Sequence, residues 1–169
     1  IIIVTKCPPE LTTQQRYELL MEIDPYPRQR VYFSRYQYGM PHEIFRPDAR
    51  RALDLDTHIL LVSAIANTDY LLQYLGGEAG SVQTLEFEDH HYFDETDLVD
   101  ILRRFESLPH RNKIIVTTEK DAVRLELHED FLREKNLPVY VLPVQVSFCD
   151  NDEVEFQADV KQFLMDFKV

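Results

Sequence analysis

Glycine is scarce in this chain. Gly39, Gly76, Gly77 and Gly80 are the only four in 169 residues, so neither a phosphate-cradling Walker A loop nor a G-x-G-x-x-G dinucleotide fingerprint can be written in it. The run Gly76-Gly77-Glu78-Ala79-Gly80 also lacks the Lys and Ser or Thr of a P-loop. It follows a helix-like stretch, where a C-cap and turn are expected. Cysteine is scarcer still: Cys7 and Cys149 make neither a zinc-type cluster nor a disulfide framework, which fits a reducing compartment. No apolar run nears the roughly 20 residues that span a bilayer, and the opening residues do not read as a secretory signal. Basic residues are outnumbered 18 to 30, giving a net charge of -12. The averaged field repels phosphate backbones and anionic headgroups, so nucleic acid is not an expected partner.

What remains is a chain with 44% hydrophobic residues, enough to bury the core of one domain with a small appendage. Ile1-Ile2-Ile3-Val4-Thr5 reads as a buried mid-sheet strand without an initiator Met, so the sequence is expected to lie within a longer protein. Residues 15–23 carry one apolar helical stripe (Tyr17, Leu19, Leu20, Ile23), closed by Pro25 and Pro27. Residues 30–35 alternate as a strand, and 36–45 offer an antiparallel partner around Gly39 and Pro41, so 29–46 is expected to form a β-hairpin or linker. After a charged stretch, 46–56, strand signals at 59–62, 82–87 and 113–117 are each followed by a helix signal, at 67–75, 95–108 and 120–127. Strand-like residues 138–142 and 145–148 and a helix over 157–167 close the chain. This order predicts an α/β fold with a largely parallel sheet and flanking helices, because parallel neighbours need a crossover connection.

Such a sheet brings three polar loops to one edge, where ligands of open α/β sheets bind. They carry Asn67-Thr68, Asp89-His90-His91 and Thr118-Glu119-Lys120-Asp121. Asn67 and Thr118 stand where N-caps belong, and Thr118 with Asp121 three residues on resembles a capping box. Lys120 falls in the first turn of a helix, where the macrodipole disfavours a cation, so an anionic partner or a surface accident is expected. His90, flanked by acidic residues just beyond a strand, is the candidate acid-base group; His91 packs or solvates. His42, His58, His110 and His128 are scattered without ligand spacing, and no metal site is expected in this chain.

Ile2-Ile3-Val4-Thr5-Lys6-Cys7-Pro8, Leu61-Val62-Ser63-Ala64-Ile65-Ala66-Asn67, Phe87-Glu88-Asp89-His90-His91-Tyr92-Phe93 and Val116-Thr117-Thr118-Glu119-Lys120-Asp121-Ala122-Val123-Arg124-Leu125 together resemble the carboxyl-terminal half of the tetraacyldisaccharide 4'-kinases, the lipid A 4'-kinases. The resemblance covers nearly the whole chain; one departure is Ala64, where the family usually has Gly. It implies part of a P-loop kinase-like fold, with ATP and magnesium as cofactors and the 4'-hydroxyl of a lipid disaccharide as acceptor, at the cytoplasmic face of a bacterial inner membrane. It also implies that the Walker A loop, the magnesium carboxylates and a membrane-contacting helix lie upstream of Ile1, in an amino-terminal half that is the chain's partner. This chain alone would then be inactive and carry no membrane anchor. His90 matches the family histidine that pairs with an upstream aspartate as a catalytic dyad. Asp89, Asn67, Thr118, Glu119, Lys120 and Asp121 are implied near substrate or phosphate. Two other readings stand beside it. Asp-His-His also names a family of manganese phosphoesterases, whose companion motifs find only Asp54-Leu55-Asp56 here, and a non-catalytic α/β interaction domain would use the same loops as caps.

Overall fold

Apolar residues that run without alternation through a short strand need cover on both faces, and that demand organises the larger part of the chain. The computed structural model describes residues 1–167. In order, its elements are β1 (Ile2–Val4), α1 (Thr13–Ile23), β2 (Val31–Tyr38), β3 (His42–Glu43), β4 (Arg46–Arg50), β5 (His58–Ser63), α2 (Asp69–Glu78), β6 (Ser81–Glu86), α3 (Glu95–Ser107) and β7 (Lys113–Thr118). There follow α4 (Glu119–Leu125), a 3-10 turn (Glu126–His128), α5 (Glu129–Glu134), β8 (Val139–Leu142), β9 (Val144–Phe148) and α6 (Asp152–Asp166). Two compact units result: residues 38–143, and residues 1–37 with the chain from Val144 onward.

The unit of residues 38–143 holds a six-stranded sheet in the order β4-β3-β8-β7-β5-β6. Its β5, β6, β7 and β8 are parallel, while β3 and β4 add an antiparallel edge. On β5, Ile59 and Leu61 pack with Leu71 and Leu75 of α2, whereas Leu60 and Val62 pack with Leu98 and Ile101 of α3, Leu125 of α4 and Leu132 of α5. All four β5 side chains are essentially fully buried, each worth about 1.5–3 kcal/mol over an exposed position. The opposed helix layers follow from topology. The step from β5 to β6 and the return across β5 to β7 run in opposite directions, so right-handed crossovers place α2 and α3 on opposite faces. The helices after the neighbouring strands β5 and β7 therefore part to opposite faces, opening a crevice at their carboxyl ends.

The hairpin does not pair residues 30–35 with 36–45. It is β3 with β4, turning at Ile44-Phe45, while β2 pairs in parallel with β1. Tyr32, Phe33 and Ser34 are buried, and a strand so covered takes neighbours on both sides. Gly39 sits at no hairpin turn; its N–H donates to the Pro143 carbonyl at 2.9 Å. The charged stretch 46–56 supplies β4. Helix α2 runs through Gly76 and Gly77 to Glu78, and neither glycine position has another group within 4 Å. The restricted glycine is Gly80, where a Cβ would come 2.1 Å from the Leu55 carbonyl oxygen. Helix α5, short and polar except for Phe131 and the buried Leu132, is an element the sequence reading lacks.

In the other unit the order is β1-β2-β9. The strand expected in mid-sheet, β1, is an edge strand, with Ile3 exposed. Helix α1 begins at a capping box in which Thr12 and Gln15 satisfy each other's backbone N–H groups. Leu19 and Leu20 pack against the cluster of Cys7, Phe33 and Cys149, while Tyr17 points to solvent. Burial pushes both thiols up from their ordinary range. Helix α6 begins at Asp152, five residues before the expected start. That residue is buried because its carboxylate accepts from the Phe33 N–H at 2.7 Å and from Arg16 at 3.0 Å.

Candidate functional site at the strand ends

The loops after β5, β6 and β7 leave the sheet at one edge, as parallel register requires. Asp121 ties two of them together. Its carboxylate is fully buried and accepts from the Ala64 N–H at 3.0 Å, from the Thr118 hydroxyl at 2.8 Å and from Arg124 at 3.1 Å. Thr118 in turn accepts the Asp121 N–H at 3.1 Å and so caps α4. The capping motif expected from the sequence is thus present with a different second half: the acidic side chain meets the hydroxyl of its N-cap, not the N-cap N–H, and also accepts from the backbone of the loop after β5. Ala64, where a glycine was expected for close approach, is completely buried. Its carbonyl accepts the His90 N–H at 3.2 Å, so one residue's backbone joins all three loops.

His90 occupies the left-handed region, φ 66°, uncommon for a non-glycine residue and frequent at functional sites. Its ring is largely exposed and lies among charges. Lys120 Nζ is 3.4 Å from Nε2, Asp89 Oδ2 is 3.5 Å from the same nitrogen, and an Arg124 guanidinium nitrogen is 3.4 Å from Nδ1. Lys120 also donates to Asp89 Oδ1 at 3.2 Å, and this bond is the main reason the Asp89 carboxyl is held below its ordinary range. The first-turn lysine thus has an anionic partner within the chain, Asp89.

His91 points the other way. Its Nε2 is 2.7 Å from Asp97 Oδ2, and its ring stacks on Phe87 with centroids 5.0 Å apart. Asp97 accepts the Asp94 N–H at 2.8 Å, and Asp94 caps α3 through the N–H groups of Thr96 and Asp97. Burial pushes the Asp97 carboxyl up, but the Asp94 N–H and His91 outweigh it and hold the group below its ordinary range.

Asn67 stands at the same edge, where its side chain accepts the Asp69 N–H at 3.0 Å and closes the turn into α2. Glu119 opens α4 at the surface. The structure therefore brings Asp89, His90 and Lys120 together, buries Asp121 beneath them, and caps α4 with Thr118; Asn67, expected as a cap, stands one residue before the N-cap of α2, Thr68, which makes no side-chain cap bond. Arg124 was not anticipated. It is set by the helix period, one turn beyond Lys120 and three residues beyond Asp121, and that spacing was the available signal. Among the described residues no group of three or more His, Cys, Asp and Glu side chains is placed to hold a metal ion, and no helix is long and apolar enough to cross a membrane.

Fold and site together define a doubly wound α/β unit with an imidazole set between two cations at its strand ends. Residues 2–164 match the family model of tetraacyldisaccharide-1-P 4'-kinase, and the chain belongs to that family. The tetraacyldisaccharide 4'-kinase of Phocaeicola vulgatus is 35% identical over 168 residues, covering 97% of this chain and 46% of that protein. The same enzyme of Parabacteroides distasonis is 37% identical over 163 residues, 93% of this chain and 44% of the relative. The chain thus spans less than half the length of the curated relatives it matches. Among solved structures, the "apo" form of LpxK from Aquifex aeolicus in complex with ATP aligns with 82% of this chain and 38% of its own, at 14% identity and a TM-score of 0.45.

Proposed function

We propose that this chain is the carboxyl-terminal part of a kinase that transfers the γ-phosphate of ATP to the 4'-hydroxyl of a tetraacyldisaccharide 1-phosphate, and that His90 serves the acceptor hydroxyl. The observation that carries this reading is the placement of His90: an exposed imidazole beside Asp89 and Lys120, at a strand-end crevice, in a chain of this family. A sugar hydroxyl is a poor nucleophile, and its proton must be taken up as the phosphoryl group arrives. His90 supplies or orients the group that takes it. Lys120, held by Asp89 at the rim, offers a cation to phosphoryl oxygens, whose negative charge is otherwise repelled by a chain of net charge -12.

The remaining machinery falls to the rest of the polypeptide. Four glycines, none in a Walker A pattern, leave ATP's phosphates to a loop outside this chain. Beside His90 the two carboxylates are already committed, Asp121 to Ala64, Thr118 and Arg124, and Asp89 to Lys120. This reading puts the working enzyme at the cytoplasmic face of the inner membrane, with its lipid substrate. The manganese phosphoesterase reading finds no ligand group among the described residues. The deciding experiment is transfer of labelled phosphate to the tetraacyldisaccharide by the intact enzyme and its His90→Ala variant. Full activity in the variant would remove His90 from the mechanism.

A further inference from the structure

Resting on the role of His90 above, we propose that Arg124 is a positioning residue that fixes the tautomer of His90. The guanidinium is held at 3.1 Å by the buried carboxylate of Asp121 and lies 5.5 Å from the Tyr92 ring centroid, with only 13% of its side chain exposed. From that seat its other terminal nitrogen is 3.4 Å from His90 Nδ1. A guanidinium can only donate, and a neutral imidazole has one donor and one acceptor nitrogen. Nδ1 facing Arg124 is therefore the acceptor, and the proton resides on Nε2.

The other side of the ring is shared between a donor and an acceptor, so the assignment rests on Arg124. Lys120 is also a donor, 3.4 Å from Nε2, but its nearer partner is Asp89 Oδ1 at 3.2 Å. Asp89 Oδ2, 3.5 Å from Nε2, gives an Nε2–H an acceptor to face. At Nδ1 the group within reach is the Arg124 guanidinium, a donor. His90 then presents an N–H donor at Nε2, the role of a ring that orients a carboxylate base, and the buried Asp121 is the anchor from which this geometry is set. Arg124 spans from Asp121 to His90 with two different nitrogens of one rigid plane, a fixed separation that the single nitrogen of a lysine ammonium at this position does not supply.

The test uses the intact enzyme labelled with 15N at histidine, the His90 signals being assigned by their loss in His90→Ala. The wild type is expected to show His90 as the Nε2–H tautomer. In Arg124→Ala the two tautomers should mix, with kcat lowered about tenfold or more and KM for ATP changed by less than about twofold, and added guanidinium ion should restore part of the rate. Arg124→Lys keeps a cation beside Asp121 and so protects the fold, yet it should show the same mixing. His91, held by Asp97, should keep its signals throughout and report on loop integrity. A wild-type Nδ1–H tautomer, or an unchanged tautomer in both variants, would overturn the proposal. The two readings separate cleanly: a fully active His90→Ala enzyme defeats the catalytic role of His90, while the tautomer of the wild type and of the Arg124 variants decides the hold of Arg124 by itself.

Discussion

Two adjacent histidines of similar sequence context have opposite surroundings, and the contrast makes a sharp test. In the intact enzyme His90→Ala should lower kcat by about two or more orders of magnitude with an unchanged melting temperature, since the ring is largely exposed. His91→Ala removes the stacking on Phe87 and the 2.7 Å contact with Asp97. Its expected cost is about 1–2 kcal/mol, seen as a melting temperature lower by about 3–8 °C, with catalysis per folded molecule largely kept. Parallel melts and initial rates check both halves, and equal losses of rate and stability in both variants would refute the contrast. Asp97 adds a pH signature. Its folded pKa is depressed, so the stability it contributes is fully present above its unfolded value of about 4 and is lost as pH falls through the lower folded value. In urea titrations the wild type should exceed Asp97→Asn at neutral pH, and the gap should close as acidification passes below the ordinary aspartate range. A gap that persists in acid would assign the effect to packing.

At the level of elements, the glycines give the clearest prediction. Gly76 and Gly77 lie in the last turns of α2 with open space around them, so changing each to Ala should raise stability by about 0.5–1 kcal/mol. Gly80→Ala should cost about 1–3 kcal/mol, because a Cβ would meet the Leu55 carbonyl. Chemical denaturation of the three variants decides it. The same glycines show what could be read from the sequence. Strands β5, β7 and β8 were legible because their apolar runs are buried on both faces, β6 by its alternation at the sheet edge, and α3 because its stripe and cap coincide. The end of α2 was misplaced because a glycine pair tolerated inside a helix looks the same on paper as one that ends it; the determinant, Leu55, lies 25 residues away from Gly80. The hairpin was misplaced for a related reason, since partner choice for β2 depends on β1 and β9, not on the nearby Gly39. At the site, the strand-end loops and the group of Asp89, His90 and Lys120 were legible from topology. The bridge from Asp121 through Arg124 was not, because it depends on which loop crosses above which strand.

For the molecule as a whole, the distribution of groups predicts division of labour. The described residues offer an imidazole and two cations at one edge but no Walker A loop and no metal-holding cluster. Phosphoryl transfer depends mainly on positioning and on charge neutralisation at the phosphates. The 169-residue chain alone is therefore expected to transfer no phosphate from ATP to a tetraacyldisaccharide, as measured by thin-layer separation of labelled product. Detectable 4'-phosphorylation by the purified chain would show that the phosphate-gripping groups lie within it after all.

The smaller unit is sewn from two stretches of sequence, residues 1–37 and the chain from Val144 onward, around a contiguous block of residues 38–143. A ribosome makes these in a fixed order. Domains generally fold as units during synthesis, so the contiguous block can complete its sheet while β2, already emerged, still waits for β9 more than a hundred residues later. During that interval the buried side of Phe33 has no finished shelter, and its N–H lacks the Asp152 carboxylate that will accept it. Until then the nascent chain carries β2 paired on one side only, with β1, which marks β2 as the segment that a holding chaperone would protect and that premature termination would leave exposed.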